Sequence, residues 1–178
     1  MVYLKYLNDT IKYMTDKETV FNETEKMLAQ SGFAIVQRDT NRPWGGFFVI
    51  DESQAIAFAN LYFPLESIGE LKITQKLSPK ILIVAPKMRL SWQYHHRRAE
   101  IWKCIKGTAG VITSETDEAQ QQHTLQIGDV IKLKQGERHR LIGLADWGII
   151  AEVWQHTDAA HPSDEDDIVR LQDDFSRT

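Results

Sequence analysis

A chain of 178 residues with 21 Lys and Arg against 25 Asp and Glu is the size of one domain, and its formal charge of -4 is spread through the sequence with no basic stripe to hold a phosphate backbone. Nucleic acid is therefore not an expected partner, and neither is a membrane, because no apolar run approaches the roughly 20 residues that cross a bilayer. The single cysteine, Cys104, has no partner for an internal disulfide, and MVYLKYLNDT lacks the apolar stretch and cleavage site of a secretory signal. A reducing cytoplasm is the expected location.

The first predicted element is a helix over residues 15–31, where Thr15 and Glu18 have capping-box spacing and Gly32 offers a left-handed stop. Val20, Phe21, Met27 and Leu28 give it an apolar stripe. A short strand is predicted over 33–36, NRPWGG interrupts it, and a second strand covers 47–50. Residues 53–62 suit another helix that ends before Pro64. The pattern then changes to short strands over 71–76, 81–85, 90–95, 101–105, 110–113, 124–127, 130–133, 139–142 and 149–154. Such a series argues for an antiparallel sandwich or barrel. The polar patch EAQQQ at 118–122 reads as a hairpin loop. In the tail, Ser163 stands where a helix cap would, followed by acidic residues, so a short C-terminal helix or an extended strap is expected. The whole chain reads as one domain: helical trim and first strands over 1–70, barrel core over 71–156, and the closing segment over 157–178.

Four residues carry the chemistry. Period-two geometry sends Gln93 and His95 to the same face of a strand, Glu100 opens the return strand, and His139 arrives from a later hairpin. An amide oxygen, two imidazoles and a carboxylate suit one divalent ion at about 2.0 to 2.2 Å. Zinc is the first expectation, and manganese, iron, cobalt and nickel share the same donor chemistry. His96 points to the opposite face of its strand, while His123, His156 and His161 lack partners at ligand spacing and are assigned to surface loops or strand ends. Arg97 and Arg98 are placed in the turn between the ligand-bearing strands, where a guanidinium can grip a phosphate through two bonds. Arg42, Lys80 and Arg170 are further candidates for holding an anion. The five tryptophans and Cys104 are read as core.

The spacing Gln-x-His-x4-Glu-x6-Gly at 93–107, followed by Gly-x5-Lys-x-Gly-x2-His at 128–139, resembles the paired motifs of the cupin superfamily, with glutamine replacing the usual first histidine. RPWGGF at 42–47, LSWQYHHRRAEIWKCIKGTAGV at 90–111, IGDVIKLKQGERHRL at 127–141 and SDEDDIVRLQDDFSR at 163–177 are together similar to the type II phosphomannose isomerase domain. In that family the module often follows a sugar-nucleotide pyrophosphorylase domain; here it is expected to stand alone. The resemblance implies an all-β cupin double-stranded β-helix, or jelly-roll barrel, with N-terminal helices and a short C-terminal helix or strap. It also implies one divalent metal on Gln93, His95, Glu100 and His139, and a sugar phosphate as partner, interconverted between mannose 6-phosphate and fructose 6-phosphate through a cis-enediol. Lys80, Arg98 and Glu152 are its catalytic candidates, with Lys80 or Glu152 as the base. Arg42, Arg97 and Arg170 are candidates for binding substrate.

The chain departs from the family pattern at Arg97 and Ile101, where histidines are expected, at Lys87 and Lys134, and at Trp154 in place of a glutamine. A segment around 53–69 also separates RPWGG from the strands it usually adjoins. The competing readings are a non-catalytic sugar or sugar-nucleotide binding module and a small iron-dependent cupin oxygenase. A homodimer is expected, because an antiparallel barrel must cover its exposed sheet edges.

Overall fold

The computed structural model describes residues 2–72, 74 and 76–176, those before Asp16 as helix backbone alone. A long helix α1 (Val2–Gln30) precedes β1 (Ile35–Asp39) and β2 (Gly45–Ile50), and a helical turn at Glu52–Gln54 leads into α2 (Ala55–Tyr62) and α3 (Ile68–Leu71). The remaining elements are strands: β3 (Lys80–Val84), β4 (Trp92–Tyr94), β5 (Arg98–Lys106), β6 (Ala109–Ser114), β7 (His123–Leu125), β8 (Val130–Leu133), β9 (Arg138–Gly143), β10 (Gly148–His156) and β11 (Val169–Gln172). They form a six-stranded sheet in the order β1-β2-β3-β10-β5-β8 and a five-stranded sheet in the order β11-β4-β9-β6-β7. The two sheets are the antiparallel layers that the expected jelly roll requires.

Alternation along the central strands explains both the packing and the position of the site. Ile81 and Ile83 of β3 join an outer apolar cluster with Phe21 and Leu28 of α1 and Phe58 of α2. Leu82 and Val84, their neighbours, join an inner cluster between the sheets with Trp102, Cys104, Leu141 and Ile150. The central strands of the six-stranded sheet are thus buried on both faces, which is why KILIV of β3 reads as an apolar run after its lysine. The period that turns Leu82 inward also turns Lys80 inward, the period of Trp102 and Cys104 carries Glu100, and that of Ile150 carries Glu152 and Trp154. Five consecutive cross-strand pairs, Lys80↔Glu152 through Val84↔Gly148, lock β3 to β10 in this register. The β5–β6 hairpin turns at Gly107, whose φ of 68° suits glycine and whose missing side chain admits the Trp147 carbonyl.

Several elements differ from the sequence expectation. The first helix starts at Val2, so Thr15 lies inside it and does not cap it. The strand expected over 71–76 is not found among the described residues, and positions 73 and 75 lie outside them. Leu71 ends α3, and the backbone N–H groups of Leu77 and Ser78 donate to the Glu52 carboxylate at 2.6 and 2.8 Å. Within 71–76 itself, the N–H groups of Leu71 and Lys72 donate to the Ser67 and Ile68 carbonyls, and the Lys76 N–H donates to the Thr74 hydroxyl at 3.2 Å, so these donors are used locally and not in a ladder. The tail resolves to the strap alternative. Ser163 caps no helix, and β11 pairs antiparallel with β4 through Val169↔Tyr94 and Arg170↔Gln93. No described helix is long and apolar enough to cross a membrane.

Phe58 is fully buried between Phe33 at 5.4 Å and Tyr62 at 4.7 Å, so it ties α2 to the outer face of the sheet. Phe58→Ala is expected to lower the unfolding free energy by about 3 to 5 kcal/mol, measured by urea titration.

Candidate metal centre

β5 begins at Arg98, and Glu100 stands two residues into it, facing between the sheets. His95 follows β4 and His139 lies near the start of β9, directly opposite Gln93 in the β4–β9 register. The side chains of His95, Glu100 and His139 are 2 to 3% exposed. Their candidate ligand atoms all lie within 4.8 Å of one another. His95 Nε2 is 3.2 Å from Glu100 Oε1, and His139 Nε2 is 3.5 Å from Glu100 Oε2. Three of the four expected ligands thus meet as a compact cluster. Gln93 lines a cavity together with Glu100, and its Oε1 accepts a bond from the Ser91 hydroxyl at 2.5 Å.

The hydrogen bonds around the rings assign their tautomers. His95 Nδ1 donates to the Asp167 carbonyl at 2.6 Å, and His139 Nδ1 donates to the Glu137 carbonyl at 2.9 Å. A proton committed to each Nδ1 leaves a lone pair on each Nε2, directed toward Glu100, as a ligated imidazole requires. Arg98 meets one side of this cluster, donating from Nε to Glu100 Oε1 at 2.7 Å and from Nη2 to His95 Nε2 at 3.1 Å. The other side has no such donor. Glu100 Oε2 and His139 Nε2 are buried without a hydrogen-bond partner, which is costly for a carboxylate oxygen and an imidazole. Two imidazoles and a carboxylate fit a divalent cation, and a cation would satisfy both orphaned atoms.

The charges are consistent with that fit. Burial pushes the Glu100 carboxyl up, but His95, Arg98 and His139 outweigh it and hold the group well below the ordinary carboxylate range. Burial lowers His139 to about 4, against the pull of Glu100. Glu100 is therefore ionised and His139 neutral at pH 7, the protonation states that bind metal. Glu152 behaves oppositely: burial and the charge of Glu100 push it up to about 8, opposed by Lys80, Arg98 and the Trp102 indole, which donates to Oε1 at 2.9 Å. Two carboxyls lining one cavity are thus driven apart in acidity.

The other predicted residues are distributed unevenly. Lys80, Arg42 and Arg170 line the cavity with Glu152 and Glu165. Lys80 is buried, pairs with Glu165 and sits 3.9 Å from the Trp154 ring centroid. Arg42 pairs with Asp39 at 2.7 Å. Arg98 is not in a turn at the rim: it is the first residue of β5, stacked 3.7 Å from the Trp154 ring and bound to Glu100 and Ser163. Arg97 does occupy the turn, but it reaches Asp164 at 3.1 Å and does not line the cavity. His96 is exposed against Tyr94, and His123 and His161 are exposed. His156 lies at a strand end as expected but is fully buried, 3.1 Å from Ser78 Oγ, a correction to its surface placement. Trp44, Trp102 and Trp154 are core residues that also wall the cavity. Glu165 and Asp167 were missed by sequence reasoning, because the acidic run they belong to fits the first turn of a helix equally well.

Residues 55–173 match the family described as Mannose-6-phosphate isomerase C-terminal, a span that takes in every residue of the metal cluster and the strap. The chain belongs to this family. Among curated relatives of this chain is the xanthan biosynthesis protein XanB of Xanthomonas campestris pv. campestris, 29% identical over 126 residues. The match covers 71% of the present chain but only 25% of XanB, so the chain spans about a quarter of the length of that relative. Among solved structures, the capsular polysaccharide assembling protein CapF of Staphylococcus aureus aligns with a TM-score of 0.52 at 12% identity, covering 76% of this chain and 34% of CapF. Oxalate decarboxylase of Lactobacillus farciminis aligns at 0.50 and 18% identity, covering 76% of this chain and 33% of the decarboxylase. These likenesses establish the fold, the cupin barrel.

His139 and His156 both have folded values near 4, below the roughly 6.5 of an exposed imidazole. The unfolded chain then binds protons that the folded chain does not, so their contribution to stability is present above pH 6.5 and is lost as the pH falls toward 4. The urea-unfolding free energy of the metal-free protein should decline across that window, and His156→Gln should make the decline shallower.

Proposed function

We propose that this chain is a metal-dependent aldose-ketose isomerase acting on a sugar phosphate, with mannose 6-phosphate and fructose 6-phosphate as the pair. The observation that carries the reading is Glu152: a buried carboxyl held near neutral acidity, in a cavity that Glu100 of the His95, Glu100 and His139 cluster also lines, with Lys80, Arg42 and Arg170 around it. The family and the XanB relative support a sugar-related role. Gln93 adds a fourth donor beside the cluster, and zinc is the ion best matched to nitrogen and oxygen ligands in a compact set. When bound, the ion polarises the substrate carbonyl and stabilises negative charge developing on oxygen.

Isomerisation moves one proton from the O2 to the O1 oxygen and another from C2 of the aldose to C1 of the ketose. Glu152 is suited to carry the second: ionised, it accepts the C2 proton, and protonated, it returns that proton to C1. With a folded value of about 8, raised in part by Glu100, the carboxyl keeps a proton at neutral pH, and a cation on Glu100 brings it closer to neutrality. Lys80 is less suited to the base role because its ammonium is engaged by Glu165 and lies against Trp154. Lys80, Arg42 and Arg170 supply positive charge for the phosphate, which fixes the sugar through contacts remote from the reacting carbons. Arg98 holds Glu100 in place. The same reading takes the chain as one domain acting in the cytoplasm. It also expects a homodimer, supported by the edge strands β1 and β8 of the six-stranded sheet.

A non-catalytic sugar-binding role is favoured by one feature, the Trp154 indole, which occupies the cavity wall where the family resemblance leads one to expect a glutamine. The two readings separate by experiment. The isomerase reading expects purified protein with zinc, manganese or cobalt to interconvert the two phosphates, with rate rising as Glu152 ionises. Glu152→Gln should lower kcat by about 10²- to 10⁴-fold with little change in KM. Binding of mannose 6-phosphate in a calorimeter, with a filled metal site but no isotope exchange at C2, would show the binding module instead.

A further inference from the structure

We propose that Asp167 is a positioning residue for the metal centre and that through it the docking of the C-terminal strap is coupled to cation affinity. The inference rests on the metal reading of His95, Glu100 and His139 but concerns a residue outside the cluster. Asp167 lies in the strap 72 positions after His95 and is 5% exposed. Its backbone carbonyl accepts the His95 Nδ1 proton at 2.6 Å, the bond that sets the tautomer and direction of that ring. Its side chain holds the backbone on which the ring is mounted: Oδ1 accepts from the His96 N–H at 3.0 Å, and Oδ2 accepts from the Arg97 N–H at 2.9 Å.

One residue thus engages three consecutive residues of the ligand-bearing turn. Its own geometry is fixed in turn by Ser163, whose hydroxyl donates to Oδ2 at 2.6 Å and accepts from Arg98 at 2.8 Å. Arg98 closes the loop by donating to Glu100. The imidazole of the cluster is therefore oriented by a bond that exists only while the strap is docked, and the carboxylate by an arginine that Ser163 of the strap helps to hold. Groups that orient ligands in this way commonly change metal affinity by 10- to 100-fold when altered. Coupling of this kind is reciprocal, so the factor that the docked strap adds to cation affinity is returned by the cation to the docking of the strap.

Asp167→Asn keeps the backbone carbonyl and nearly the same shape, but it offers one acceptor oxygen where the carboxylate offers two and sets an amide N–H₂ against a backbone N–H. The test uses zinc alone with the full chain and reads affinity by competition with a chromogenic chelator. Hydrogen exchange of residues 163–172 is followed with and without zinc. The expected result is a 10- to 100-fold weaker zinc affinity in Asp167→Asn, together with zinc-dependent slowing of exchange in the wild-type strap that the variant largely loses. A general loss of stability would not produce that zinc-dependent difference. Wild-type zinc binding with unchanged affinity in the variant overturns this inference alone, whereas no zinc binding by the wild type overturns the metal reading and this inference with it. Should the variant not fold, the wild type still decides the matter: exchange in 163–172 that ignores zinc overturns the coupling.

Discussion

The structure is organised around the burial of one ionised carboxylate. Glu100 sits between two sheets at 3% exposure, where an isolated charge would be strongly disfavoured, and the Arg98 guanidinium on one side favours its ionised form, while two imidazoles face it through Nε2. Arg98 compensates Oε1, while Oε2 and His139 Nε2 are left facing each other at 3.5 Å with no proton to share. That asymmetry gives the cluster its meaning. A purely structural ion pair would satisfy both oxygens, and a site built for a cation leaves one side open to it.

The same carboxylate governs the acidity of the group next to it. Glu152 reaches the cavity because β10 alternates in step with β5 and β3, so that Ile150, Glu152 and Trp154 share the inner face. Burial, reinforced by the charge on Glu100, holds its proton to about pH 8. A low-dielectric cavity with one carboxyl fixed as an anion and a second near neutrality separates the two duties that the proposed isomerisation needs, coordination and proton transfer. The helices serve this arrangement at a distance. By covering the outer face of the six-stranded sheet they keep water from its central strands.

Much of the site was legible because its logic is local. Gln93, His95 and Glu100 fall within eight positions of one another, and strand alternation with glycine punctuation is enough to bring them together; His139 follows from the second motif. Arg98 and His156 were misplaced, although the same alternation held the answer: Arg98 shares the face of Glu100 and Trp102, and His156 that of Glu152 and Trp154, so both turn inward. Asp167 was not legible at all. Its partners are 70 to 72 residues away, and the run SDEDD satisfies the rules for a helix start as well as those for a strap. The strand expected over 71–76 gives way to a helical turn that takes the Leu71 and Lys72 N–H groups, and the segment after it is held by Glu52, which reaches across the fold to the N–H groups of Leu77 and Ser78. Long-range side-chain acceptors leave no periodic trace in a sequence.

The central claim is that a divalent cation belongs between Glu100 Oε2 and the Nε2 atoms of His95 and His139. Anomalous diffraction at the zinc edge from crystals of the zinc-loaded protein tests it most directly. The account predicts a single strong peak per chain, at coordination distance from all three side chains, about 2.0 to 2.2 Å. A filled peak bound elsewhere, or zinc-loaded crystals in which these three side chains keep their present contacts with no density between them, would contradict it.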